Sequence, residues 1–241
     1  MEVKLIKNED LSGWDQFIKS HPQSSLFHTS EWKSILEKTF GFKAKFIAAY
    51  EGSDIIDGLP LFLVSFLGLG KKLICIPQSG FYSAFLSDHA EAQNLLIKAA
   101  INMARNEGVR YLEIRSNAPI EALAMHDFIL RHPYYFPNLE LIDVSTNQNA
   151  MSKLHRRNVN KAKKLGVSVE LSGRKLDLKK FYAMLEEMYR EYGTPIFNFS
   201  FLNNMWENLV PKDLFFLLLV KHKKNIIGGG CFYHFNDVVT Y

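Results

Sequence analysis

The chain has 241 residues, 47% of them hydrophobic and 22% charged, with a formal net charge of +4. This is the composition of a folded, soluble protein with one large domain or two small ones, and the charge is too modest to imply nucleic-acid binding. Its distribution says more. Residues 1–145 carry 14 Lys and Arg against 17 Asp and Glu, a balance of −3, whereas residues 146–241 carry 15 against 8, a balance of +7.

In chain order, Val3 to Ile6 reads as a short strand and Trp14 to Ile18 lies on a short helix. Thr29 or Ser30 caps a second helix that places Trp32, Ile35, Leu36 and Phe40 on one side and stops at Gly41. Three strand candidates follow, Lys45 to Tyr50, Ile56 to Phe66 and Lys72 to Pro77, with turn chemistry at Glu51-Gly52 and Asp57-Gly58. Ala92 to Asn106 is an amphipathic helix that stops at Gly108 and feeds the strand Tyr111 to Arg115. Phe128 to Val144 reads as a closing strand pair around the Pro133–Pro137 turn.

The next segment, KLHRRNVNKAKKLGVSVE from Lys153 to Glu170, is the most informative. Six of the residues from Lys153 to Lys164 are Lys or Arg, and none is acidic. At about 100° per residue, Lys153, Arg156, Arg157, Lys163 and Lys164 share one face of a helix, opposite Met151, Leu154, Ala162 and Leu165. Such a helix is anchored by its apolar side and free to meet anions with the other. Ser145 and Gln148 fit a capping box at its start, and Gly166 is a left-handed stop.

Val167 to Leu171 is then a strand, and Leu178 to Tyr192 is a helix with Phe181, Met184, Leu185 and Met188 on its apolar side, stopping at Gly193-Thr194-Pro195. Phe201 to Leu209 is another helix. The strands Leu214 to Val220 and Ile226 to His234 and the start of a third at Val238 complete the chain. Both halves share an order of strand, two helices and antiparallel meander, which predicts a duplicated α+β unit. The expected domains are 1–145 and 146–241. The second is about 50 residues shorter and is expected to be an amino-terminal portion only, so the 241-residue chain is expected to be inactive as a transferase and less stable than a longer version.

The order SEWKSILEKTFG, IDGLPLFLV, VRYLEIRS and KLHRRNVNKAKKLGVSVE resembles the Fem family, the peptidoglycan interpeptide-bridge aminoacyltransferases and their FemAB-like relatives. The segment FYAMLEEMYREYGTPIFNFSFL is similar to a FemAB-like branch with Gly-Thr-Pro after this helix. The resemblance implies an α+β fold of tandem GNAT-like (acetyltransferase-type) domains, with mixed sheets flanked by helices and the second domain incomplete. It also implies transfer of an amino acid from a charged tRNA to an amine of a peptidoglycan precursor, with no metal and no bound cofactor. In the family a basic position on the helix opening the second domain contacts the precursor's diphosphate. The matching position here is Arg156, with Arg157 beside it. The coiled-coil arm of tRNA-using members is not visible, which leaves acyl-coenzyme A open as the donor.

Acyl transfer to an amine needs a deprotonated amine and a stabilised oxyanion, not a covalent nucleophile, and no catalytic residue is assigned from the sequence. His28 and His132 read as surface or loop residues. Cys75 and Cys231 lie in apolar strand-like runs, without the spacing of a zinc or redox pair, and read as buried reduced thiols. Pro77-Gln78-Ser79-Gly80 is a poor match to a pyrophosphate-binding turn, and Gly228-Gly229-Gly230 reads as a bulge or close backbone approach within a strand.

The candidate phosphate-binding residues are therefore Arg156, Arg157, Lys153 and Lys33, with long-range attraction from Lys153 and Lys164. Tyr189, Tyr192 and Thr194 are candidates for a substrate cleft, or else an ordinary helix end. The partner is an anionic small-molecule or lipid-linked precursor; tRNA and the oligomeric state are left open. Two other readings stand beside this one, an acyl-CoA-dependent small-molecule N-acetyltransferase and a non-catalytic module that docks RNA or another anion. The amino terminus lacks a secretory apolar core. The longest apolar run, Leu59 to Leu69, falls short of the roughly 20 residues of a membrane span. The expected location is cytoplasmic.

Overall fold

The structure, a computed structural model, describes residues 1–66, 68, 70–78, 85–87, 89–116, 120–131 and 138–241. The chain divides into two compact units, residues 1–134 with 235–238 and residues 135–234 with 239–241.

The first unit begins with β1 (Glu2–Leu5), α1 (Leu11–Ser20) and α2 (Ser30–Phe40). Local chemistry fixes α2. The Thr29 hydroxyl accepts from the Trp32 N–H, and Gly41 closes the helix at φ +68° with its N–H on the Glu37 carbonyl. Its stripe of Trp32, Ile35 and Leu36 is buried, as are Trp14 and Ile18 of α1. The strands β2 (Lys43–Ala44), β3 (Ile47–Glu51), β4 (Asp54–Leu59), β5 (Leu61–Phe66) and β6 (Gly70–Cys75) follow. Helix α3 (Ala90–Glu107), strand β7 (Leu112–Glu113) and the short α4 (Glu121–Ala124) come next.

Two sheets form, β1-β3-β4 and β2-β5-β6-β7; the β6–β7 pair is parallel and the other pairs are antiparallel. The run predicted as one strand over Ile56 to Phe66 thus divides at Pro60 between two sheets. Proline has no N–H for a ladder and suits such a corner. Asp57-Gly58, predicted as a turn, lies inside β4 opposite Ala49 and Ala48. The other predicted turn, at Glu51-Gly52, is found, with Gly52 at φ +62°. Helix α3 buries Ala92, Leu96, Ile97 and Ala100 and ends at Gly108 in the left-handed region.

The second unit contains α5 (Val144–Ala150), α6 (Lys153–Lys164), β8 (Val167–Ser172), α7 (Lys175–Glu191), α8 (Phe199–Leu209), β9 (Phe215–His222), β10 (Asn225–Phe235) and β11 (Val238–Thr240). Its sheet has the order β11-β10-β9-β8. Leu178 and Phe181 of α7 and Leu202, Met205, Trp206 and Leu209 of α8 are buried, together with Phe215, Leu217 and Leu219 of β9. Gly229 is required by this packing, because a Cβ there would lie 3.0 Å from the Phe181 ring and 2.8 Å from the Leu218 carbonyl. A register shift between Ile226 and Gly228 makes a bulge in β10, so both readings of the triple glycine hold.

The same plan recurs in the two units: strand, two helices, a return strand antiparallel to the first, then a hairpin. The predicted strand pair over Phe128 to Val144 is not found among the described residues. Residues 125–131 and 138–143 carry neither helix nor strand. Ile129, Leu130, Leu139 and Leu141 are exposed, so nothing supplies the partner that a strand there would need. His132 and the Pro133–Pro137 turn lie outside the described residues.

Candidate functional site

The basic segment is two helices rather than one. Asp143 caps α5, accepting from the Thr146 N–H at 2.9 Å and the Ser145 hydroxyl at 2.6 Å. Hydrogen bonds from Ser145 and Thr146 hold its carboxyl well below the usual carboxylate range. The predicted cap at Ser145 thus moves two residues back to Asp143, because an ionised carboxylate accepts more strongly than a hydroxyl. The chain is extended at Met151, and Ser152 caps α6 by accepting from the His155 N–H at 3.3 Å.

Every residue of α6 from Lys153 to Lys161 is exposed. Its cationic face is open, and among the described residues no ion pair is recorded for Lys153, Arg156, Arg157, Lys161, Lys163 or Lys164. Arg156 donates from Nη1 to the Asn149 carbonyl at 3.3 Å, which ties α6 to the end of α5. The anchoring expected on the other side is absent: Leu154 is 55% exposed and Leu165 60%, and α6 has no buried residue. The periodicity gave the cationic face and the Leu154 side, whereas Met151, expected on that side, falls outside α6 in extended backbone. Burial depends on what covers a face, which periodicity does not carry.

Like charges three and four residues apart, such as Lys153 with Arg156 and Arg157 with Lys161, each cost a helix a few tenths of a kcal/mol. Only Lys161, Lys163 and Lys164 recover some of this at the negative end of the helix dipole. The helix thus carries a charge pattern that opposes its own stability and that a bound anion would relieve.

Lys33 is placed differently. It lies on α2 in the first unit, its side chain 14% exposed, with Nζ 2.8 Å from Glu37 and 3.4 Å from Asn8 Oδ1. Tyr189, Tyr192 and Thr194 come together at the end of α7. Gly193 there has φ +65°, and the Thr194 N–H donates to the Tyr189 carbonyl at 3.0 Å. These bonds complete a helix end, and Tyr192 stands 73% exposed beside them. A shallow polar cleft of about 270 Å³ beside β8, lined by Glu170, Arg174, Asp177 and Lys221, contains none of the predicted site residues.

Sequence reasoning missed a cluster in the first unit. Asp57 is fully buried; its Oδ2 accepts from the Ser87 hydroxyl at 2.6 Å and its Oδ1 lies 3.2 Å from His89 Nδ1. With Nδ1–H donating to Asp57, the Nε2 lone pair of His89 is free to accept a proton, and the side chain is 56% exposed. A buried carboxylate that orients a half-open imidazole can serve proton transfer. The one acid in the apolar run IIDGLPLFLV was the available signal, since an unpaired carboxylate is not buried. Asp57→Ala removes the charge-assisted hydrogen bond from Ser87, so it should lower stability by about 2 kcal/mol, read as an earlier urea midpoint with an unchanged slope.

His28, read as a surface or loop residue, is fully buried in a 3-10 turn. Its Nδ1 lies 2.9 Å from Ser25 Oγ and its carbonyl accepts from the Trp14 indole at 2.8 Å. Cys75 accepts from the Arg115 N–H at 2.8 Å. Burial pushes the thiols of Cys75 and Cys231 up to about 12. At pH 8 each is therefore thiolate in roughly one part in ten thousand. Neither should react with iodoacetamide in the folded protein, while both should in urea, as mass spectrometry would read.

No family model matches the chain. Over 231 aligned residues it is 25% identical to a lipid II:glycine glycyltransferase of Staphylococcus saprophyticus subsp. saprophyticus, which takes in 86% of this chain and 53% of that protein. The crystal structure of FemX matches with a TM-score of 0.68 at 22% identity, over 92% of this chain and 58% of FemX. The chain shares the fold of FemX. The α+β class expected from the sequence, mixed sheets flanked by helices, is the one observed. The chain spans about half the length of the curated relative it matches. Among the described residues, no helix is long and apolar enough to cross a membrane.

Proposed function

We propose that this chain belongs to an aminoacyl- or acyltransferase of the Fem type, acting on an amine of an anionic peptidoglycan-type precursor. The observation that carries the reading is the open cationic face of α6 in a chain similar over most of its length to a lipid II:glycine glycyltransferase. Arg156 and Arg157 bind the acceptor's phosphates, and Lys153 and Lys164 add long-range attraction. Lys33, on the first unit, is a separate phosphate contact in which the anion replaces Glu37. Tyr189, Tyr192 and Thr194 line the acceptor's path at the end of α7.

In the reaction the acceptor amine, once deprotonated, attacks the donor's ester or thioester carbonyl. The C–N bond forms, the C–O or C–S bond breaks, and the leaving group takes up the proton released. The donor is an aminoacyl-tRNA or an acyl-coenzyme A; it is a co-substrate rather than a bound cofactor, and the chemistry needs no metal. Such an enzyme works in the cytoplasm, where both donors are found.

Calorimetric titration of a protein containing this chain with a nucleotide-diphosphate-linked precursor tests the acceptor half of the reading. Saturable binding that weakens as salt rises is the expected result. Absence of binding, with tight binding of a short RNA instead, would favour the non-catalytic module.

A further inference from the structure

We propose that α6 is a bilayer-docking helix, with its apolar stripe entering the surface of a membrane rich in anionic lipid. Three observations combine. The stripe exists: Leu154 and Leu165 lie on one side of α6 and are 55% and 60% exposed, with Met151, 41% exposed, just ahead of the helix. The charge around it is of one sign, with six Lys and Arg from Lys153 to Lys164 and no acid between Asp143 and Glu170. Ahead of α6, the segment that leads into and opens α5 adds further open aliphatic groups, Leu139, Leu141, Ile142 and Val144, each at least 65% exposed.

An exposed apolar stripe bordered by cations is complementary to one kind of surface. Acyl chains accept the aliphatic groups, and headgroup phosphates accept the charge. A nucleic acid would satisfy the cations and leave the leucines in water. A protein groove would satisfy the leucines but would need its own acids to match the charge.

The placement of the charges is suitable. With about 100° between residues, Lys161 and Arg157 stand roughly 60° and 100° from the centre of the stripe. When the stripe faces the lipid they lie at headgroup level, where their long stems can reach along the interface to phosphate. Lys153, Arg156, Lys163 and Lys164 then face water, within a Debye length of the surface, and contribute through the field rather than by contact. The helix has no aromatic residue and only a few apolar ones, so it docks reversibly and depends on lipid charge.

This goes beyond the transferase reading and does not require it. Vesicles without any precursor test it, so its failure leaves acceptor binding standing, and the failure of acceptor binding leaves it standing.

The experiment is flotation of the 241-residue protein with vesicles of phosphatidylcholine alone or mixed with phosphatidylglycerol. Binding to the anionic vesicles should exceed that to the zwitterionic ones by about tenfold or more, and high salt should remove most of it. Leu154→Gln with Leu165→Gln should reduce anionic-vesicle binding about tenfold. Arg157→Gln with Lys161→Gln should reduce it by a similar factor. All four side chains are exposed, so circular dichroism and melting temperature should stay at wild-type values. Equal binding to both vesicle types overturns the proposal. So does wild-type binding by the double-leucine variant together with displacement by a short RNA, since α6 would then be a polyanion surface and nothing more.

Discussion

Gly58→Val should destabilise the first unit by about 3 kcal/mol, the upper range for forcing extra volume into a packed core. In the native fold even a lone Cβ at this position would lie 2.6 and 2.7 Å from two Trp14 ring carbons and 3.2 Å from the Phe17 ring. The Trp14 ring has no room to yield. Trp14 is wholly buried, its indole N–H is held by the His28 carbonyl at 2.8 Å, and its ring packs on Phe46 with centroids 5.2 Å apart. Moving it would break a buried hydrogen bond as well as displace the core. The cause is space rather than backbone conformation, because Gly58 is not among the glycines with positive φ. Gly13 supplies the control. It sits on α1 with nothing within 4 Å of a Cβ, so Gly13→Ala should stabilise by up to about 1 kcal/mol through helix propensity. Thermal unfolding followed by circular dichroism should move the transition in opposite directions for the two variants. If Gly58→Val melts with wild type, the close approach of β4 to α1 is wrong.

That glycine also marks where the sequence was misleading. Signals confined to a few residues were legible. Thr29 capping α2, Gly41 and Gly108 ending helices, Gly166 after α6 and the stripes of α2 and α3 all follow from chemistry within one or two turns. Asp57-Gly58 has the composition of a turn, yet it is held in β4 by partners far along the chain: Trp14, Ala48, Ser87 and His89. A dipeptide rule cannot see them. The division of Ile56 to Phe66 at Pro60 likewise depends on which strands lie alongside, β3 for one part and β6 for the other.

The site was legible to a similar depth. The count and spacing of Lys and Arg gave the cationic face of α6, and the structure leaves that face open. What the sequence could not give was the fate of the opposite face, since an amphipathic helix reads the same whether its stripe is covered or bare. It also could not give the engagement of Lys33, whose partner Glu37 is one turn away but whose second partner, Asn8, is 25 residues distant. The Asp57–His89 pair shows the converse: two ordinary residues, 32 apart in sequence, become a chemical unit only through the packing of β4 against the start of α3.

Arg156→Ala should weaken binding of a nucleotide-diphosphate-linked precursor by roughly tenfold to a hundredfold, the loss of one charge-assisted hydrogen bond worth about 1.5–3 kcal/mol. Arg156 and Arg157 are adjacent on an exposed helix, so they can present two guanidinium groups to one diphosphate, each in fork geometry. The Arg156 side chain already has an anchor, its Nη1 on the Asn149 carbonyl, which holds part of the fork in place before any ligand arrives. Lysine keeps the charge but has neither the fork nor that preorganisation, so Arg156→Lys should also bind more weakly than wild type. This separates a shaped phosphate site from a merely basic surface, where the lysine variant would be neutral. Calorimetric titration of a protein containing this chain, comparing wild type, Arg156→Lys and Arg156→Ala at two salt concentrations, gives both answers. A shaped site predicts that the difference between lysine and arginine persists at the higher salt, because hydrogen-bond geometry is not screened, whereas the long-range attraction of Lys153 and Lys164 fades. Equal affinity of all three proteins would place the acceptor's phosphates elsewhere.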